Sequence, residues 1–211
     1  MTFSITLLIV IITCIVSYMG FTDQIMFNRY SHQPFMENKY KQYYRLLTSG
    51  FLHVDFTHLI LNMFVFWQFG SIVEAKFVGH FGFLNGELLY LFFYLSALVI
   101  SDIPTMLRFK DYSGYNAVGA SGAVSAILFA FIIFQPWAML ALFLIIPIPA
   151  VIAGVLYLAY EQWAGQRGRD NIGHDAHIMG AVFGMLFIFI FWSGSFTDFI
   201  YSVLHESPFW H

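Results

Sequence analysis

Long apolar runs alternate with short polar breaks along this chain. A run of roughly 18 apolar residues or more is long enough to cross a bilayer as a helix. The pattern predicts six such spans, at 2–20, 53–70, 84–100, 118–134, 137–160 and 177–194. Between them it predicts a long loop at 21–52, a short one at 71–83, one at 101–117, a turn at Gln135-Pro136 and a Gly-rich polar loop at 161–176. The runs lack the period-two alternation that a membrane barrel needs. The expected fold is an all-α membrane protein, a bundle of six transmembrane helices forming a single domain over 1–211. Loop 21–52 is rich in aromatic residues (Phe27, Tyr30, Phe35, Tyr40, Tyr43, Tyr44). Such rings suit the headgroup region, so this loop is expected on or partly in the membrane.

Composition agrees with the pattern. Of 211 residues, 59% are hydrophobic, 20% aromatic and only 10% charged, against about 25% charged in soluble domains. The net charge of -3 gives no reason to expect nucleic acid as a partner. The single cysteine, Cys14, lies in the first apolar run and cannot form an intramolecular disulfide. Residues 3–20 lack the basic flank and small-residue cleavage site of a signal peptide, so a retained first helix is expected.

Polar side chains inside spans are costly and are functional candidates by default. Here they cluster. His53, His58 and Asn62 lie in the first half of span two, Ser121 near the start of span four, and His177 at the start of span six. Consecutive spans alternate in direction, so spans two, four and six begin on one membrane face. At 1.5 Å per residue, Ser121 is expected about 5–10 Å below its helix start. His58 and Asn62, at i and i+4, share one helix face. Gly119 and Gly122 flank Ser121, and Gly180 and Gly184 follow His177. Gly-x-x-x-Gly spacing lets helix backbones approach closely, as a Ser–His hydrogen bond between two helices requires.

The chemistry follows from the residue types. A serine hydroxyl becomes a useful nucleophile when an imidazole takes its proton. The resulting oxyanion needs donors, and the Asn62 amide, the His58 ring and the Ser121 backbone N–H are the candidates. Asp175 is two residues from His177 and points to another side of any helix there, so the sequence suggests a dyad.

These residues resemble those of the rhomboid intramembrane serine proteases. The family's Gly-x-Ser-Gly stands here as Gly119-Ala120-Ser121-Gly122. Its His-x-x-x-Asn stands as His58-Leu59-Ile60-Leu61-Asn62, with His53 five residues earlier. Its Ala-His-x-x-Gly-x-x-x-Gly stands as Ala176-His177-Ile178-Met179-Gly180-Ala181-Val182-Phe183-Gly184. Tyr44-Arg45 occupies the place of a frequent Trp-Arg, and Glu74 that of an acidic residue after span two, read here as a stabilising loop residue. One departure is Ser125. Some members carry at that position an aromatic ring that stacks on the catalytic histidine, so another group is expected to hold His177, with Phe183, Phe129 or a loop residue as guesses.

The resemblance implies the minimal six-helix bacterial form in a plasma membrane. It implies hydrolysis of peptide bonds in or near the transmembrane helices of substrate proteins, reached sideways between spans two and five. Pro147 and Pro149 would bend or loosen span five. Membrane lipid is the surrounding partner, and no cofactor or metal is implied.

Each residue also has a plainer reading. A serine in a membrane helix is more often a packing residue, and His58 with Asn62 could be an interhelical hydrogen-bond pair. His174 reads as a boundary residue. It is the joint placement of three motifs at one depth that favours chemistry. The rivals are an inactive relative that binds membrane clients, a haem carrier using His58 and His177 as axial ligands, and a transporter, which would show internal repeats. A zinc protease would carry His-Glu-x-x-His, which is absent from the sequence. Orientation is contested. Eight of nine Lys/Arg fall on the face where spans two, four and six begin, which the positive-inside rule puts in the cytoplasm. The resemblance implies that the same face opens outward.

Overall fold

The computed structural model describes residues 4–142, 145–167 and 172–208. Its elements, in order, begin with α1 (Ile5–Thr22), three short helices α2 (Gln24–Tyr30), α3 (Pro34–Tyr40) and α4 (Arg45–Thr48), and a 3₁₀ turn at Ser49–Phe51. The long helices α5 (Phe56–Phe81) and α6 (Phe83–Phe109) follow, then α7 (Ser121–Phe134). A hairpin of β1 (Met139–Leu142) and β2 (Ile146–Pro149) leads into α8 (Ala150–Arg167), α9 (His174–Phe191) and α10 (Ser195–His205). By length and composition α1, α5, α6 and α9 are able to cross a membrane, and α7 is apolar but only 14 residues long. The protein is a multi-pass helical membrane bundle.

Several boundaries differ from the sequence expectation. The predicted loop at 71–83 shrinks to one residue, Gly82, because α5 continues to Phe81. Gly82 has φ +81°, a conformation glycine adopts without strain, so two long helices reverse about a single residue. The first part of predicted span five is the antiparallel hairpin, with Pro147 opposite Ala141 and Pro149 opposite Met139. Proline has no N–H for a helix interior and is tolerated on an edge strand. Pro147 and Pro149 therefore do not bend a helix. They precede one, and α8 runs from Ala150 to Arg167, which brings Glu161 inside it. The tail from Ser195 folds as α10. Of the Gly-rich loop, 168–171 lie outside the described residues.

The bundle is apolar on both sides. Large rings from α5, α6 and α9 fill the interior: Phe77 stacks on Phe93 at 5.9 Å, and Phe93 on Phe187 at 4.5 Å. Ile11, Ile15, Leu84, Leu88, Leu156 and Ile190 are exposed on the outside, where acyl chains rather than water would meet them. α7 sits at the centre, packed against α5, α6 and α9. All its residues are buried except Ser121, Leu128 and Phe134, which are half-buried.

Two polar assemblies hold the ends. Glu74 is a buried residue of α5, not a loop residue, and its carboxylate caps α1. It accepts from Ser4 Oγ (2.8 Å), Ile5 N (2.7 Å) and Thr6 N (2.9 Å), two of which are backbone donors a helix start leaves unpaired. The segment 21–52 is folded rather than loose. Buried Arg45 donates to the carbonyls of Asn28 (2.8 Å) and Ser31 (2.9 Å). His32 Nδ1 meets Glu37 Oε1 at 2.7 Å, both buried. His32 and Ala117 exchange backbone hydrogen bonds of 2.9 and 3.0 Å, which straps this segment to the approach to α7.

Burial pushes the His32 pKa down, but the Glu37 hydrogen bond and the charges of Asp102 and Glu37 outweigh it and leave the pKa above its ordinary 6.5. A raised folded pKa gives stability that is fully present below the unfolded value and lost as pH rises through the folded one. Thermal unfolding in detergent micelles should therefore show a midpoint that falls as pH is raised through and above 6.5. Glu37→Gln should flatten that part of the profile.

Candidate active site

The start of α7 is shaped by Gly119. Its φ of +130° is one that side chains rarely adopt, and a Cβ there would lie 2.8 Å from His58 Cε1. Its N–H donates to the Ser49 carbonyl at 3.0 Å. The chain can turn into a helix only after it, so α7 begins at Ser121 itself rather than at 118. The expected depth of a turn or more is thus corrected: Ser121 is the first helical residue. The N–H groups of that first turn have no intrahelical acceptor, and Ala120 offers no side-chain cap. Together with the helix dipole they form a site that favours negative charge.

Ser121 Oγ lies 2.7 Å from His177 Nε2. The glycines make this possible. A Cβ on Gly180 would collide with the Gly122 carbonyl, and one on Gly184 with the Ala126 carbonyl. α7 and α9 therefore touch backbone to backbone along two turns.

The other predicted residues form a chain of contacts that meets the site at Gly119. The His58 ring lies against Gly119 and packs edge-on to His53 at 4.8 Å. His58 Nδ1 is buried with no hydrogen-bond partner among the described residues. Asn62 uses its Nδ2 to donate to the His58 carbonyl at 3.0 Å. An amide nitrogen carries two hydrogens, so one remains. His53 is fully buried, and its Nδ1 is 3.0 Å from Ser17 Oγ. The Ser17 hydroxyl donates to the Phe51 carbonyl at 3.0 Å, so it accepts from His53. His53 thus braces α1 against the start of α5.

The groups that hold His177 come from α8 and were not foreseen. The Tyr157 ring lies over the imidazole, with centroids 6.3 Å apart and planes 27° from parallel. Its hydroxyl is 2.6 Å from Ser125 Oγ, which also donates to the Ser121 carbonyl at 2.9 Å. Phe129 packs on Tyr157 at 5.9 Å, and Phe183 on Phe93 at 5.9 Å, so neither guess is the stacking ring. Buried Glu161 is the acid that the sequence reading did not find. Its Oε1 lies 3.0 Å from His177 Nδ1 and its Oε2 2.5 Å from His174 Nδ1. Asp175 faces away and pairs with Arg108 at 2.8 Å.

The donor atoms of Glu161, His174 and His177 lie within 4.8 Å of one another, close enough to share one metal ion. For a haem, both ring nitrogens of His177 already face protein groups, Ser121 and Glu161.

A multi-pass helical bundle with a serine at a central helix N-terminus, bonded to a histidine on the adjoining helix, defines a class of membrane protein. Comparison gives it a family: the Rhomboid domain matches residues 40–194, and the chain belongs to the rhomboid family. It is 31% identical over 169 residues to RHOMBOID-like protein 12, mitochondrial, of Arabidopsis thaliana, covering 76% of this chain and 50% of that protein. It is 31% identical over 150 residues to Rhomboid protein 1, mitochondrial, of Saccharomyces cerevisiae, covering 67% of this chain and 40% of that protein. Rhomboid protease GluP of Bacillus subtilis matches at 31% over 83 residues, 39% of this chain and 14% of that protein. The chain spans about half the length, or less, of these relatives.

Gly180→Val should separate α7 from α9. Overpacking of this kind typically costs about 1–3 kcal/mol. The expected result is a lower unfolding temperature in micelles and loss of reaction with a serine-directed phosphonate. Wild-type labelling of this variant would show that the close approach does not set the Ser–His distance.

Proposed function

We propose that the chain is an intramembrane serine endopeptidase that hydrolyses peptide bonds in or near the transmembrane helices of membrane-protein substrates. The observation that carries this reading is the 2.7 Å contact between Ser121 Oγ and His177 Nε2 at the uncapped N-terminus of α7. The membership of a family that includes a relative named a protease supports it.

In this mechanism Ser121 Oγ attacks the scissile carbonyl carbon while His177 Nε2 takes its proton. Negative charge grows on the substrate oxygen. The Ser121 N–H, the free Asn62 N–H and the His58 ring are the donors assigned to it. Collapse of the tetrahedral intermediate breaks the C–N bond, and the imidazolium returns its proton to the leaving amine. Water then attacks the acyl-enzyme, again deprotonated by His177. His53, Gly119, Gly122, Gly180 and Gly184 act by packing, holding the helices at this spacing.

The substrate helix reaches the serine from the lipid. Among the described residues α8 rests chiefly on α9 rather than on α5. That leaves a path between α5 and α8. A substrate must unwind locally there, because a helix buries its backbone carbonyls in its own hydrogen bonds. The bilayer in this reading is the bacterial plasma membrane, as the resemblance to the minimal six-helix form suggests.

A client-binding but inactive protein is the competing reading, and activity separates the two. Ser121→Ala and His177→Ala should each abolish cleavage of a reconstituted transmembrane substrate while leaving the protein folded. Cleavage by Ser121→Ala at the wild-type rate overturns the protease reading. Asn62→Ala should lower kcat by about 10²–10³-fold with little change in KM.

A further inference from the structure

A buried ionisable side chain is costly and persists where it is paired or used. Glu161 is such a residue: it lies within α8 and is 4% exposed. Its two oxygens face two imidazoles of one helix. His174 and His177 stand at i and i+3 of α9, and each presents Nδ1 to a separate oxygen, at 2.5 and 3.0 Å. Tyr157 stands at i−4 from Glu161 on the same face of α8 and covers the His177 ring.

His177 Nδ1 is buried and has no aligned hydrogen-bond partner, although Glu161 Oε1 is at hydrogen-bonding distance. The ring N–H needs only a small rotation to point at that oxygen. Catalytic hydrogen bonds are often loosely aligned before substrate binds and tighten afterwards. The His174 contact holds the other oxygen, so the carboxylate stays aimed at the site while α8 lies against α9.

We propose that Glu161 is a positioning residue for His177, so that the dyad works as a Ser–His–Glu relay whose acid is carried by α8. This rests on the reading of Ser121 as nucleophile. The carboxylate accepts the Nδ1 hydrogen and so fixes the imidazole in the tautomer with a bare Nε2, the form that can take the Ser121 proton. When the proton moves, the imidazolium has both nitrogens protonated, and Glu161 faces the new charge at Nδ1. No proton passes to the carboxylate. Tyr157 sets the ring plane, and its hydroxyl is moored to Ser125. Ser125, four residues after Ser121, thus gives its hydroxyl to anchoring a ring from α8.

The same donor set would suit a metal ion by spacing alone. The distances are those of hydrogen bonds: each oxygen faces its own nitrogen, at 2.5 and 3.0 Å.

The test uses the full chain in detergent micelles. Wild type, Ser121→Ala, Glu161→Ala and Glu161→Gln are compared for labelling rate with a fluorophosphonate, kcat and KM on a transmembrane substrate, and thermal unfolding. Glu161→Gln keeps the side-chain volume and serves should Glu161→Ala fold poorly. The expected result is a fall in labelling and kcat of about 10²-fold or more, with KM unchanged. Histidine ¹⁵N NMR should show His177, identified by its loss in His177→Ala, as the Nδ1–H tautomer in wild type and as a mixture in Glu161→Gln. A folded Glu161→Gln that labels at the wild-type rate and keeps the Nδ1–H tautomer overturns the positioning role and leaves the protease reading standing. Wild type that labels no faster than Ser121→Ala takes both down. Stoichiometric, tight zinc uptake by wild type that Glu161→Gln abolishes assigns the cluster to a metal and overturns the proposal.

Discussion

The backbone contact between α7 and α9 is the constraint on which the rest depends. In lipid there is little hydrophobic drive to press helices together, so association relies on close packing of small residues and on hydrogen bonds. Gly180 against Gly122, and Gly184 against Ala126, bring the two backbones into direct contact. Serine has the shortest hydroxyl side chain and histidine reaches only two carbons further. The 2.7 Å bond between Ser121 and His177 exists because the helices meet there. α5, α6 and α9 together bury α7 on nearly every side, which fixes the direction of its N-terminus and therefore of its free N–H groups.

A second layer of polar structure holds that N-terminus in register. The residues ahead of Ser121 are irregular backbone, which membranes tolerate only where protein satisfies its hydrogen bonds. Ala117 is satisfied by His32 and Gly119 by Ser49, both from the folded segment between α1 and α5. That segment is stiffened by Arg45 on two carbonyls and by the buried His32–Glu37 pair. Glu74 ties α1 to α5 at the far end. The polar residues of a mostly apolar chain are thus spent on two tasks, fixing irregular backbone and building the site.

Most of the bundle was legible because bilayer thickness demands long apolar runs and cost makes intramembrane polar residues conspicuous. Ser121, His177, His58, Asn62 and His53 stood out on those grounds; the structure pairs Ser121 with His177 and sets His58 against Gly119, with Asn62 and His53 touching His58. The omissions share a cause. Apolar runs do not reveal whether residues 137–149 are helix or hairpin, since Pro147 and Pro149 fit either a kinked helix or an edge strand. Reading them as helix ended span five too early, at 160, and so moved Glu161 into a loop, where an acidic residue calls for no explanation. Placed in α8, it is the kind of buried charge that demands one. The i, i+4 spacing of Tyr157 and Glu161 was present in the sequence, but its meaning depended on knowing which element carried it.

The placement of those two residues ties access to alignment. One face of α8 presents Tyr157 and Glu161 to α9, while Val155, Leu156 and Trp163 are exposed on its outer side. α8 rests mainly on α9 and only lightly on α7 and the hairpin, so it is held less firmly than α5, α6, α7 or α9. In the proposed mechanism a substrate comes in beside this helix. Any swing of α8 large enough to admit a transmembrane segment also draws Glu161 from His177 Nδ1, a contact already only loosely aligned. A relay built this way has its base fully oriented when α8 lies closed on α9, whether the site is empty or holds an unwound substrate, and loses that orientation while the path stands open. Catalytic alignment then reports on closure, which would discriminate against helices that stay folded in the gap and keep α8 from returning.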